Sequence, residues 1–389
     1  MHNREEQKIS SANLRRRDFL ERIAAAPFAL VFAAGRQQSA LATQQQSLVL
    51  QQQPPVTMAN APNSRAFPFA SLSSWITPNS EFFVRSHFGT PKIETSRWML
   101  EVKGAVERPR KFTFEKILKL PAQEAIVTLE CSGNPVGWGG VSNARWTGVR
   151  LEALLEACGV RADAVEVVLV GADGGAEREA NGIQVPAYAR SITIKKAIEK
   201  DTMLAFKMNG EALPEIHGGP LRAIIPGWYS MDSVKWIQQI VVSREPFKGF
   251  YHTERYYEAR RINGQVYRNE LHELRIKSQI ARPVQQQTLG LEPVNIVGAA
   301  WTNGDAEITK VELSFNRGKS WVETKLGEEH APYAWRLWSM DWTPTIAGIY
   351  EIIARAYDTK GREQPLQRDS TLITPYANNH ADRRLIEIR

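Results

Sequence analysis

Apolar residues along this chain fall mostly into short runs and strict alternations, the rhythm of β-strands rather than long helices. Residues 98–102 and 126–130 read as strands, as do 164–170, 221–225 and 236–242. One stretch has helical spacing. Leu151, Leu154, Leu155 and Cys158 fall on one face, and Gly159 follows as a C-terminal stop. A second short helix is expected over 114–120, ended by Pro121.

The pattern changes beyond residue 275. Segments 294–300, 311–315 and 350–357 read as strands, with Val311, Leu313 and Phe315 alternating with polar residues. Asn316-Arg317-Gly318-Lys319 makes a turn leading into Trp321. Short strands and frequent turns imply a β-sandwich over 276–389. The expected fold class is therefore α+β, a mixed first domain over 71–275 followed by an all-β one. The boundary is drawn in the polar stretch after Arg260.

The chain has 389 residues and a net charge of +7. No segment combines dense basic residues with interleaved aromatics, so nucleic acid is not an expected partner. The N-terminus reads as an export signal over 1–42. Arg15, Arg16 and Arg17 precede Phe19-Leu20, then comes an apolar run over 23–34, too short for a permanent membrane span. Ala40-Leu41-Ala42 has the form of a cleavage site. Twin arginine in this setting is similar to the bacterial twin-arginine signal and implies a periplasmic location. An uncleaved amphipathic anchor is the alternative. The Gln-rich stretch that follows reads as part of a disordered tether over 43–70.

With 2 cysteines, a multi-cysteine metal cage is excluded. Cys158 lies on the apolar helix face and reads as a core residue. Cys131 differs. It ends an apolar, β-branched run and precedes Ser132-Gly133-Asn134-Pro135, which is how a strand delivers a thiolate to a cleft floor. One soft ligand suffices for a metal if an organic cofactor supplies the others. Four other motifs stand with it: Phe83-Val84-Arg85-Ser86-His87, the turn carrying Asp173, His217 to Arg222, and Ser233-Val234-Lys235.

Together and in this order these motifs resemble the sulfite oxidase family of molybdenum enzymes, over roughly residues 72–389. The segments 316–321 and 332–338 resemble that family's Ig-like dimerisation domain. The resemblance implies molybdenum-molybdopterin as cofactor, with Cys131 the protein's metal ligand. It implies that Phe83, Val84, Arg85, Ser86 and His87 hold the pterin and phosphate from one side. Asp173 would bond the pterin, while His217, Arg222, Ser233, Val234 and Lys235 clamp the phosphate. Arginine forks and a lysine charge suit a phosphate dianion. Cys131, Arg85 and Trp138 are the implied catalytic group, Trp138 lying beside the pocket.

The implied reaction is oxygen-atom transfer to a small sulfur compound or oxyanion, with sulfite first among candidates. No Cys-x-x-Cys-His occurs, so no c-type haem attaches to this chain, and no b-type haem domain is recognisable. Electrons would pass to a separate carrier such as cytochrome c. A homodimer is implied as well. Two positions depart from the family pattern: Val136 stands where sulfite-oxidising relatives carry an arginine, and Phe247 where they carry a tyrosine. Arg145, Arg255 or Arg383 would have to supply the missing charge, and Tyr229, Tyr251 or Tyr256 the phenol. The alternatives are an S- or N-oxide reductase, an exported binding module without catalysis, and a copper or zinc site of Cys131 with His87 and His217.

Overall fold

A computed structural model describes residues 57–58, 64–177 and 180–389. The expected leader and most of the expected tether lie outside them. The tether is shorter than expected at its C-terminal end. Phe67 and Phe69 are buried against Trp335, and the Phe67 amide donates to the Gly139 carbonyl at 2.8 Å.

The described residues are predominantly β, and helix takes a smaller part in them than the mixed first domain expected from the sequence. The α-helices among the described residues are short: α1 (Phe114–Leu118), α2 (Leu151–Cys158) and α3 (Ile194–Ala197). Local chemistry stops two of them. Gly159 caps α2 at φ 71°, a conformation that favours glycine. In α3 the Thr202 hydroxyl takes up the Lys196 carbonyl at 2.8 Å, so the helical ladder does not continue. Leu151, Leu154, Leu155 and Cys158 are all buried, as the stripe predicted.

The first half is built on two sheets. Strands β1 (Met99–Gly104), β2 (Arg110–Thr113), β3 (Ala122–Glu130), β4 (Val141–Arg150), β5 (Glu166–Gly171), β6 (Ala189–Thr193), β7 (Met203–Met208), β8 (Arg222–Ile224) and β9 (Ile237–Ser243) carry them. One sheet has the order β6-β5-β9-β1-β2, with β9 parallel to β1. The other runs from β3 through β4 to β7, and β8 also pairs with β7. Near-continuous apolar runs mark strands covered on both faces. In β5, Val167, Val168, Leu169 and Val170 are all buried.

The second half is a sandwich. Strands β10 (Lys277–Arg282), β11 (Val294–Trp301) and β13 (Arg336–Trp342) form one sheet with a short edge strand. Strands β12 (Ile308–Ser314), β14 (Gly348–Asp358) and β15 (Asp382–Ile388) form the core of the other. Ile280, Ile296 and Trp338 of the first sheet meet Val311, Leu313, Ile352, Ala354 and Ile386 of the second. Trp301, Trp335 and Trp338 are buried within the chain.

The stretch after Arg260 is not a plain linker. It is an antiparallel hairpin, Tyr257–Ile262 with Gln265–Glu270. Asn263 and Gly264 turn it, with φ 50° and 80°, as a two-residue hairpin loop requires. No helix among the described residues is long and apolar enough to cross a membrane.

Candidate active site

Strand β3 ends at Glu130, and the loop to β4 begins with Cys131. The loop is held by its own backbone. The Cys131 amide donates to the Gly140 carbonyl at 2.8 Å, and the Asn134 amide to the Cys131 carbonyl at 2.9 Å. Asn134 Oδ1 accepts from the Gly140 amide at 3.0 Å. Close approach decides two glycines here: a Cβ on Gly140 would lie 2.9 Å from Asn134 Oδ1, and one on Gly139 would lie 1.7 Å from the Phe67 carbonyl oxygen.

The sandwich supports this loop from beneath. Lys277 Nζ on β10 donates to Glu130 Oε1 at 2.7 Å, and both groups are buried. Lys277 also reaches the Asn134 carbonyl at 3.2 Å, and Trp301 Nε1 donates to Glu130 Oε2 at 2.9 Å. Gln279 Nε2 donates to the Trp138 carbonyl at 3.0 Å. On the other side, the Ala377 amide bonds the Ser132 carbonyl at 2.8 Å.

Two cavities meet at Cys131. The inner one is lined by every residue expected to hold the cofactor: Phe83 to His87, Cys131, Asp173, His217, Arg222, Ser233, Val234 and Lys235. The outer one is lined by Arg65, Arg85, Cys131, Trp138, Arg255, Tyr256 and Tyr376 among others. Arg85 and Tyr256 line both. Trp138 is 48% exposed, so it is a cleft wall and not a core tryptophan.

The far end of the inner cavity is cationic. Arg222 is buried, and its guanidinium bonds only carbonyls: His217 at 2.8 Å, Ser233 at 2.9 Å and Ala223 at 3.4 Å. Burial lowers its pKa to about 9. Lys235 Nζ donates to Ser86 Oγ at 2.6 Å and lies 4.0 Å from the Trp236 ring. Burial lowers its pKa to about 7, against the pull of Asp173. Asp173 is raised to about 6 by burial, with Lys235 opposing. His217 Nε2 lies 2.9 Å from the Asn79 carbonyl, and burial takes its pKa down to about 4, so the ring is neutral.

In the inner cavity wall, His87 sits between a carboxylate and a phenol. Its Nδ1 lies 2.8 Å from Glu177 and its Nε2 lies 2.6 Å from the Tyr256 hydroxyl. Burial lowers the His87 pKa despite Glu177, which makes the neutral ring the resting form. Nδ1–H then faces the carboxylate and Nε2 accepts from Tyr256, a tautomer assigned from these partners. Tyr251 donates its hydroxyl to the same Glu177. Burial also raises the Cys131 thiol, with the Gly133 amide and Arg85 working the other way.

These residues suit a phosphorylated, metal-bearing cofactor. Arg222 and Lys235 form no ion pair with a carboxylate among the described residues, and a buried cation in that state favours an anion beside it. Ser132 Oγ is buried in the cavity wall without a partner. Cys131 places a sulfur where the two cavities join.

Two departures read from the sequence are resolved differently in space. Phe247 packs in a small apolar cluster with Val168 and Val170 and lines neither cavity. Its lack of a hydroxyl therefore has no bearing on the cleft, where Tyr256 and Tyr376 stand instead, with ring centroids 5.3 Å apart. Val136 also lines neither cavity. Among the arginines considered, Arg255 lines the mouth. Arg145 pairs with Glu124 and Arg383 with Glu351, both away from it. Sequence reading missed Arg65, Glu177, Tyr376 and Lys277. Tyr376 and Lys277 reach the site from more than a hundred residues away, so no local spacing marks them.

Comparison with known proteins agrees with this geometry. Residues 87–251 match the family model described as oxidoreductase molybdopterin binding domain, and residues 268–382 the Mo-co oxidoreductase dimerisation domain. A nitrate reductase [NADH] of Brassica napus (clone PBNBR1405) is 32% identical over 338 residues, covering 75% of this chain and 36% of the relative. Nitrate reductase [NADH] 1 of Arabidopsis thaliana is 30% identical over the same length. The chain thus spans about a third of the length of these curated relatives. The crystal structure of the sulfane dehydrogenase SoxCD from Paracoccus pantotrophus aligns with TM-score 0.72 at 24% identity, covering 94% of this chain and 98% of that one, and shares the fold. The chain belongs to the sulfite oxidase family of molybdopterin-dependent oxidoreductases.

Proposed function

We propose that this chain is an exported molybdopterin enzyme that oxidises a small anionic sulfur compound, sulfite first among them, and hands electrons to a separate cytochrome c-type carrier. One observation carries the reading: the inner and outer cavities join at Cys131, with Arg85 and Arg255 on the outer wall. Arg222, Lys235, Ser233 and His217 would hold the cofactor's phosphate, Asp173 its pterin, and Cys131 its metal. When bound, this group supplies two-electron oxygen-atom transfer. The chain's own part is placement and charge. Arg85 and Arg255 attract and orient an anion at the mouth. Tyr256 is held well above the ordinary phenol range by burial, so its hydroxyl keeps its proton. That proton faces His87 Nε2, and His87 Nδ1 faces Glu177, a path for a proton leaving the cleft. The twin-arginine motif supports export, and the dimerisation-domain match supports a homodimer.

Steady-state kinetics of the molybdenum-loaded enzyme with sulfite, thiosulfate and an artificial acceptor test the proposal. Sulfite-dependent acceptor reduction is expected. Arg255→Gln should raise KM by about 10- to 100-fold, the loss of one charge-assisted contact of about 1.5–3 kcal/mol. Failure to turn over any sulfur compound at full metal loading sinks the substrate assignment. A second reading is reduction of an oxyanion such as nitrate, favoured by the nitrate reductase relatives. Oxidation of a reduced dye by nitrate, with no turnover of sulfite, would decide for it.

A further inference from the structure

The turn Phe250–Arg255 that brings Arg255 to the cleft also carries His252, which faces a different group of side chains. Glu270 ends the hairpin strand and His272 follows two residues later. One ligand atom from each of His252, Glu270 and His272 lies within 4.8 Å of the others. His252 Nε2 is 3.6 Å from Glu270 Oε1, and His272 Nε2 is 3.4 Å from Glu270 Oε2. Metal–ligand bonds of about 2.0–2.1 Å at tetrahedral angles put neighbouring ligand atoms roughly 3.3 Å apart. Each imidazole nitrogen already lies near that distance from one of the two carboxylate oxygens of Glu270.

The surroundings fix the ligands' orientation. His272 Nδ1 lies 3.0 Å from Asp232 Oδ2, and Arg190 Nε donates to Asp232 Oδ1 at 2.7 Å, with Arg190 and Asp232 fully buried. A carboxylate behind an imidazole in this way commits Nδ1–H and leaves the Nε2 lone pair for a metal. The Trp228 ring lies against His272, centroids 4.2 Å apart and planes tilted by 32°. The neutral Ser191 hydroxyl is the other polar neighbour of His252 Nε2, at 3.4 Å. None of the three residues lines either cavity at Cys131.

The competing account is a plain ion pair between a protonated His272 and its two carboxylates. It leaves His252 unexplained. That ring is buried, aims Nε2 at the same Glu270, and has its centroid 5.6 Å from the His272 ring.

We propose that His252, Glu270 and His272 form a site for one divalent transition-metal ion of the zinc class, with its remaining position open to water. Two nitrogens and a carboxylate suit such an ion better than calcium or magnesium. A bound ion would clip the base of the hairpin to the turn that presents Arg255.

The test uses untagged, molybdenum-loaded, full-length protein, dialysed against chelator and titrated with Co²⁺ alone. One equivalent of Co²⁺ per chain is expected, with visible bands of a four- or five-coordinate ion that Zn²⁺ then displaces. Glu270→Gln alters a surface side chain and leaves the core intact. It and His272→Gln should each weaken Co²⁺ binding at least tenfold while molybdenum content stays at the wild-type level. No saturable uptake below about 100 µM Co²⁺, or equal uptake by wild type and both variants, would mean an ion pair only and overturn the proposal.

Discussion

Arg222 is a guanidinium whose hydrogen bonds all go to carbonyl oxygens, and Lys235 is an ammonium bonded to a serine. Neither cation is held in an ion pair with a carboxylate among the described residues, so each is suited to an incoming phosphate. Lys235→Met should therefore lower molybdenum content on purification, with cofactor affinity reduced by about 10- to 100-fold for one charge-assisted contact. Metal analysis and pterin release on denaturation measure it. His217 gives a pH prediction. Its folded pKa is about 4, against about 6.5 for a free histidine. The unfolded chain binds the proton first as pH falls, so the neutral buried ring costs stability from about pH 6.5 down to about pH 4, on the order of 3 kcal/mol. Cofactor-free protein should show this acid-side loss in thermal melts. Loaded protein should show less, because a phosphate beside the ring favours its protonated form. Equal acid limbs in the two forms would remove this account. At this scale the sequence was informative where motif residues converge, as in Cys131, Asp173 and Lys235. It misled at Phe247, because a residue's place in a run says nothing about whether its side chain faces the cleft or a separate apolar cluster.

Among elements, the loop between β3 and β4 has the least room. A methyl group on Gly139 would sit 1.7 Å from the Phe67 carbonyl oxygen, and the segment 65–67 would have to move away. Gly139→Ala should cost about 3 kcal/mol or more, lower Tm by roughly 5 °C, and reduce kcat through displacement of Trp138 and Cys131. A melt and turnover matching wild type would count against so tight a fit. Strands were legible because their runs are apolar or alternate, as in β5 and β12, and α2 because one stripe and one glycine bounded it. The hairpin after Tyr257 went unread. All six residues of Gln265–Glu270 are exposed, so no buried face imposes a period of two, although Asn263-Gly264 was the available turn signal.

Across the whole molecule, the ion pair between Glu130 and Lys277 joins the two halves directly below Cys131. Breaking a buried pair by removing one partner costs about 3–5 kcal/mol. Lys277→Met should therefore destabilise the protein by that order and lower activity together. Adding Glu130→Gln to it should recover part of the stability, since no buried charge is then left alone. Chemical denaturation of the single and double variants measures the difference. The sandwich was recognisable from its strands, but its role beneath the loop was not, since Lys277, Gln279 and Trp301 read as ordinary strand residues until the halves are placed together. Chimaeras are where this matters. Transplanting the C-terminal half of a relative onto this catalytic half would carry foreign residues into the floor of the cleft. Such a hybrid should work only if the donor also brings a cation matching Glu130 and an amide matching the backbone of Trp138.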